Sequence, residues 1–373
     1  MATKVKPQPG LSKLKTYVPG TPIEEVKRKY GLTDVIKMAS NENPLGPSQK
    51  ATAAIERALQ QLNFYPDSQH YDLRHALADH LGVQPDQIIV GNGADGVILQ
   101  TCMAYLDEAN EVIVSKSSFP IYDIFAQGMR ARLVKTPLKN YGLDMAAMAG
   151  AITDHTKIVF VCNPNNPTGT IVTAAEVETF MAGVPDHVLV VFDEAYFELV
   201  ASDAYPDTLR YIREGREHVM ILRTYSKVYG IAGVRLGYGI ASPSILAPLH
   251  QIRESFAVNL LAQAAGIAAL EDTEFLQKSV EMNHAGRLYL YAQFERLGLR
   301  CLESHTNFVL VEIGPNAVKV QQALLKHGVI VRPCTGYDLP DWLRVTVGTP
   351  EQNARFIAEL ARALAPSRSP DAP

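Results

Sequence analysis

Thr224-Tyr225-Ser226-Lys227, with Arg235 eight residues past the lysine, place two side-chain hydroxyls, an amine and a guanidinium in one short stretch. The apolar run Val219–Leu222 precedes them, so a strand would deliver them at its carboxyl end. Hydroxyl donors and a guanidinium fork are what a phosphate dianion requires. A lysine among cationic and polar neighbours can have its pKa lowered, which frees the amine to form an imine with an aldehyde. Taken alone, Lys227 could equally be one more solvated lysine.

A second apolar run, Val188–Phe192, ends in Asp193-Glu194-Ala195-Tyr196. A carboxylate at such a strand end should face a ligand crevice, because burying it unpaired is costly. Opposite a pyridine nitrogen, Asp193 would keep the ring protonated and so make it an electron sink. Upstream, Cys162-Asn163-Pro164-Asn165-Asn166-Pro167-Thr168-Gly169 is a rigid polar turn. An Asn amide in it could donate to a ring oxygen, and structural punctuation is an equal reading. An aldehyde that also carries a phosphate and a pyridine ring is pyridoxal 5'-phosphate (PLP).

Gly91-Asn92-Gly93-Ala94-Asp95-Gly96 follows a strand, opens a helix and fits GxGxxG. A dinucleotide site would want an acidic residue about 20 positions on at a strand end. Glu111 comes early and starts its strand instead. An anion site on backbone N–H groups and a helix N-terminus therefore fits better than NAD.

These residues can act together only if the intervening elements align them. Apolar runs at Gln87–Val90, Glu111–Val114, Lys157–Cys162, Val188–Phe192 and Val219–Leu222 predict strands. Helical segments at Asp95–Tyr105, Tyr122–Gly128 and Ala174–Ala182 alternate with most of them. This predicts an α/β fold with a mostly parallel sheet covered on both faces. In such sheets ligands bind at the carboxyl ends of the strands.

Before this region, residues 1–37 predict an extended N-terminal arm with one helix at IEEVKRKYGL, and Ala51–Leu62 is helical. Residues 38–255 would form the large domain. Residues 256–366 would form a smaller α/β domain, with helices at Asn259–Leu270 and Phe275–Leu297. Strands near Asn307–Glu312, Val329–Val331 and Leu343–Val347 follow, then a helix from Glu351. Residues 367–373 would be a tail.

The chain has 373 residues, of which 47% are hydrophobic, enough to bury a sizeable core and more than one typical domain needs. A net charge of −4 gives no support for a general nucleic-acid or membrane-surface binder. No apolar signal core or bilayer-length run is present, and the expectation is a cytoplasmic protein. Cys102, Cys162, Cys301 and Cys334 are widely spaced, which favours reduced thiols over metal or disulfide roles. His70, His75 and His80 recur every five residues, which scatters them around a helix, so no metal site is expected.

NPNNPTG, DEAY and SKxxGxxGxRxG, in this order, resemble the fold-type-I PLP-dependent aminotransferases. The resemblance implies that Lys227 is the Schiff-base lysine, that Asp193 pairs the pyridinium, and that Tyr196 and Asn166 bind the ring hydroxyl. Thr224, Ser226, Arg235 and the Ala94-Asp95 turn would hold the phosphate. Phe119, in Ser117-Ser118-Phe119-Pro120-Ile121-Tyr122, would stack on the ring, although by composition alone it is equally a core aromatic.

Ser40-Asn41-Glu42-Asn43-Pro44-Leu45-Gly46-Pro47-Ser48 is similar to the opening signature of the histidinol-phosphate aminotransferase family. Tyr17 before Val-Pro-Gly, Tyr65-Pro66-Asp67, the GNGAD loop and Leu343-Arg344-Val345-Thr346-Val347-Gly348 also match. The resemblance implies a homodimer in which Tyr65 reaches the partner's PLP phosphate. It implies that Arg344, with Tyr17, Asn43 and Arg332, grips the substrate. The implied reaction takes L-histidinol phosphate and 2-oxoglutarate to imidazole-acetol phosphate and glutamate. One departure is Gly96, where the family usually has Glu.

Three rivals follow. An aromatic-amino-acid aminotransferase would use the same pocket, since a phenyl ring is close to an imidazole in size. A PLP decarboxylase acting on a phosphate substrate would use the same framework. A non-catalytic PLP-binding regulator would be expected to add a basic DNA-binding segment, and no domain-sized extension is visible.

Overall fold

The computed structural model describes residues 19–365 together with residues 5, 6, 11, 14 and 16. The strands in chain order are β1 (Ile36–Met38), β2 (Ile88–Asn92), β3 (Glu111–Ser115) and β4 (Arg132–Thr136), then the short pair β5 (Leu138–Lys139) and β6 (Gly142–Leu143). After them come β7 (Thr156–Cys162), β8 (Leu189–Asp193), β9 (Val219–Thr224) and β10 (Leu236–Ala241). The last three are β11 (Phe308–Glu312), β12 (Val329–Pro333) and β13 (Trp342–Thr346).

The larger sheet runs β2-β10-β9-β8-β7-β3-β4. Strands β9, β8, β7, β3 and β4 pair in parallel, and only β10 runs against its neighbours β2 and β9. The continuous apolar stretches make this arrangement favourable. Residues from both faces of β7, β8 and β9 are buried, one set in each of two cores on opposite sides of the sheet. A sheet buried on both faces needs helices on both faces. Gly93–Tyr105, Ile121–Gly128 and Ala174–Gly183 are among them. The last starts with a capping box, in which the Thr173 hydroxyl accepts from Glu176 N–H and the Glu176 carboxylate accepts from Thr173 N–H.

Two strands of this larger sheet were not expected, besides β1 and the short pair β5 and β6 outside it. β4 lies on the sheet edge and mixes exposed and buried positions, and β10 is interrupted by Gly237 and Gly239. Register then does the positioning. Cys162 lies opposite Asp193, Asp193 opposite Leu222, and Thr224 opposite Gly237. The ends of β7, β8 and β9 therefore open onto one edge of the sheet.

A second sheet runs β1-β12-β13-β11 and buries its own core with the helices Thr273–Arg296, Ala317–Lys326 and Pro350–Leu364. Its edge strand β1 comes from residues 36–38, which pair in parallel with Val329–Val331. The segment expected to close the arm and open the large domain thus contributes to the C-terminal sheet. No helix among the described residues is long and apolar enough to cross a membrane.

Candidate active site

A cavity of about 420 Å³ opens at the carboxyl edge of the larger sheet. Ten of the residues singled out in the sequence line it: Ala94, Asp95, Phe119, Asn166, Asp193, Tyr196, Thr224, Ser226, Lys227 and Arg235. Five segments far apart in sequence meet there because the parallel strands end in register.

Lys227 follows β9 in a tight turn and faces the cavity. Burial lowers its pKa to about 8, assisted by the Arg344 and Arg235 charges and opposed by Asp95 and Asp193. The amine is consequently available at lower pH than an ordinary lysine, which suits attack on a carbonyl.

At one end of the cavity Thr224, Ser226 and Arg235 gather beside the N-terminus of the Gly93–Tyr105 helix. Arg235 Nη1 donates to Ser226 Oγ at 3.4 Å, and Arg235 Nη2 lies 3.7 Å from Asp95 Oδ2. Gly93 has φ +72°, and a Cβ there would sit 2.5 Å from Arg235 Nη2, so the glycine makes room for the guanidinium. By contrast, a Cβ at Gly96 would make ordinary contacts, so the departure there leaves the loop's packing unchanged.

At the other side Asp193 presents a buried carboxylate. Tyr122 Oη donates to its Oδ2 at 2.5 Å and the Ala195 N–H to its Oδ1 at 3.2 Å. Burial pushes the Asp193 carboxyl up to about 6, with these two donors working against the rise. Tyr122 is fully buried, stacked on Phe160 at 4.5 Å, and meets the edge of Phe119. The sequence reading missed Tyr122, which looks like an apolar-face residue of the helix Ile121–Gly128. The SSFPIY segment held no signal that would single it out.

Tyr196 is buried, and its hydroxyl accepts from Asn41 Nδ2 at 2.8 Å. The polar turn after β7 divides between its own structure and the cavity. Asn163 and Asn165 bind within the turn and to neighbouring loops, whereas Asn166 faces the cavity.

The substrate-end residues are more scattered. Arg344 on β13 is buried, donates to Asn166 Oδ1 and to Ala39 O (2.8 Å), and lies behind the cavity wall. Arg332 faces it across the β12–β13 pair. Asn43 lies outside this cavity, with Nδ2 donating to Val228 O and Ser279 Oγ. Tyr65 is 81% exposed and stacks on Phe256, away from the cavity of its own chain. Tyr17 lies outside the described residues. Ser40 and Glu42 line the cavity without having been assigned a role. Among the described residues no group of three or more His, Cys, Asp or Glu is placed to hold a metal.

The donor set fits PLP. It has an amine for the aldehyde, hydroxyls and a guanidinium at the helix N-terminus for the phosphate, and a buried carboxylate for a ring nitrogen. Fold and site together define a PLP-dependent aminotransferase of fold type I. The family of class I and II aminotransferases matches residues 33–360. The histidinol-phosphate aminotransferase of Moorella thermoacetica is 48% identical over 365 residues, 98% of this chain and 95% of that one. That of Akkermansia muciniphila is 47% identical over 354 residues, 94% and 96% of the two chains. The crystal structure of the Sinorhizobium meliloti histidinol-phosphate aminotransferase in complex with pyridoxal-5'-phosphate superposes with a TM-score of 0.87 at 28% identity, covering 97% and 98% of the two chains. The chain belongs to the class I and II aminotransferases and, within them, to the histidinol-phosphate aminotransferase family.

Proposed function

We propose that this enzyme transfers the amino group of L-histidinol phosphate to 2-oxoglutarate, giving imidazole-acetol phosphate and glutamate in histidine biosynthesis. The convergence of Lys227, Asp193 and Arg235 on one cavity, with Arg344 bonded to Asn166 at its wall, carries the chemistry. Near full-length relatives of that name support the choice of donor.

When bound, PLP supplies an aldehyde carbon that carries the amino group and a ring that accepts electron density from the substrate carbon. Thr224, Ser226, Arg235 and the Ala94-Asp95 turn hold its phosphate. Phe119 covers the ring, while Asn166 and Tyr196 bind the ring hydroxyl. Asp193, fixed by Tyr122 and the Ala195 N–H, holds a proton on the ring nitrogen. Lys227, freed by the incoming amine, would use its Nζ to take the proton from the substrate carbon and deliver it to the cofactor's aldehyde carbon, on the far side of the amine nitrogen. Arg344 receives the donor's phosphate or the acceptor's carboxylate, since a guanidinium forks onto either. Arg332 and Tyr17 would complete that end, whereas Asn43, outside the cavity with its amide on Val228 and Ser279, would support it from behind.

The working unit proposed is a homodimer with shared sites. Tyr65, Phe64, Leu62 and Phe256 are large exposed apolar side chains, which supports a second copy covering them and taking up Tyr65. Within each chain, residues 39–255 would form the PLP-binding part and residues 256–365, joined by β1, the smaller part. The cytoplasm is the proposed setting, in keeping with four cysteines that form no disulfide.

The test is steady-state turnover of histidinol phosphate with 2-oxoglutarate, following glutamate and the phosphorylated ketone. Parallel-line, ping-pong kinetics with both products in equal amounts are expected. An enzyme that binds PLP and forms neither product contradicts the proposal.

A further inference from the structure

The charged residues of the cavity divide by task. Arg235 and Asp95 stand together at the phosphate end, Lys227 faces the centre, and Asp193 is engaged by Tyr122. Glu42 is the one lining carboxylate that this arrangement leaves without a task. It belongs to the segment Ala39–Glu42, which is tied down at two points. Arg344 Nη2 donates to Ala39 O, and Asn41, in the left-handed region at φ 57°, turns its amide onto the Tyr196 hydroxyl. Those ties join the segment that carries Glu42 to Arg344, which lies behind the cavity wall.

The carboxylate itself is held. Lys37 Nζ donates to Glu42 Oε1 at 2.7 Å, and the Lys37 side chain is mostly buried. Among the described residues nothing donates to Oε2, and Glu42 keeps 46% of its side-chain surface exposed. One oxygen is therefore fixed on Lys37 while Glu42 itself lines the cavity, and Lys37 stands in the neighbouring groove that Glu42 also lines.

Two amino compounds must use this space under the function proposed above. Both carry an amine and an anion for Arg344, and they differ in what remains. Histidinol phosphate brings an imidazole, whose ring N–H needs an acceptor, and glutamate brings a further carboxylate, which an anionic neighbour repels. A phenyl ring offers no donor at all and would leave Oε2 of the held carboxylate partly desolvated without a donor, the arrangement by which hydrogen-bonding sites reject analogues.

We propose that Glu42 determines donor specificity, its Oε2 accepting the imidazole N–H of histidinol phosphate while Lys37 fixes its Oε1. This rests on the histidinol phosphate reading. The test uses the PLP-loaded enzyme and its variants E42A, E42Q and K37M, with thermal melting and cofactor content recorded for each. Half-reactions with histidinol phosphate, phenylalanine and glutamate are measured, together with calorimetric binding of histidinol phosphate to the pyridoxamine-phosphate form.

In E42A the ratio of kcat/KM for histidinol phosphate to that for glutamate falls about 10- to 100-fold, the worth of one hydrogen bond to a charged group. Calorimetric affinity for histidinol phosphate falls in step. E42Q, which keeps an acceptor oxygen, loses less, and K37M lies between E42Q and E42A. An unchanged ratio, or equal losses for all three donors, overturns the assignment while leaving the function standing. A wild type that turns over no histidinol phosphate overturns both.

Discussion

To pair a ring nitrogen as proposed, Asp193 must stay ionised against the pull of its burial, and Tyr122 is the side chain that donates to it. Its hydroxyl donates at 2.5 Å, whereas burial raises the Asp193 carboxyl to about 6. Because that folded value lies above the ordinary one, the apoprotein binds this proton more tightly than the unfolded chain does. Asp193 therefore contributes stability below about pH 4 that is lost as pH rises towards 6. A ligand needing the anion should bind better on the alkaline side. Y122F removes only the donor. The affinity of the apoenzyme for pyridoxamine phosphate, which cannot condense with Lys227, should then follow a pH curve displaced upwards by about one unit from wild type. Superimposed curves would show that the hydroxyl does not govern Asp193. The contrast with Lys227, Asp193 and Arg235 is instructive. Those residues carry charge at strand ends and stand out in sequence, whereas Tyr122 sits on a helical apolar face and acquires its partner only when helix and strand pack.

At the scale of elements, the turn that follows β8 is pinned from behind. Arg223 on β9 donates twice to Glu194 Oε2, at 3.0 and 2.9 Å, Thr208 donates to the other oxygen, and the guanidinium lies 3.5 Å from the Phe197 ring centre. Arg223 and Glu194 are both buried, so losing one partner strands a charge. R223M should lower unfolding free energy by about 3–5 kcal/mol. The double variant R223M/E194Q should recover most of that loss, as read from urea unfolding midpoints. A double variant as unstable as the single would mean that the pair does more than neutralise charge.

The legibility of the strands has the same physical basis. β7, β8 and β9 are continuous apolar runs because both faces are covered. β10 is not, because a Cβ at Gly237 would lie 2.3 Å from Ala94 N, so the helix Gly93–Tyr105 packs directly on glycine. β4, an edge strand, has no burial pattern to betray it.

For the whole molecule, the active site depends on the two sheets meeting. Arg344 from the smaller sheet donates to Asn166 in the turn after β7 of the larger, while Asn41 links Thr346 to Tyr196. The sequence could locate Arg344 as a residue of interest, but not the pairing of β1 with β12, nearly three hundred residues apart. Nor could it show that Ser40 and Glu42 would be carried into the cavity by that strand. The substrate end is thus where long-range packing, which leaves no local pattern, sets the chemistry.

Under the proposed function this cavity, with Arg344 behind its wall, serves a phosphorylated imidazole donor. A single half-reaction tests it most directly. PLP-loaded enzyme is mixed, without keto acid, with histidinol phosphate or with phenylalanine, and the loss of the cofactor's visible absorbance is followed over a range of concentrations. Rapid, saturable bleaching by histidinol phosphate at far lower concentration than by phenylalanine is predicted. Equal or better bleaching by phenylalanine would contradict the account, and would mean that an aromatic amino acid is the true donor.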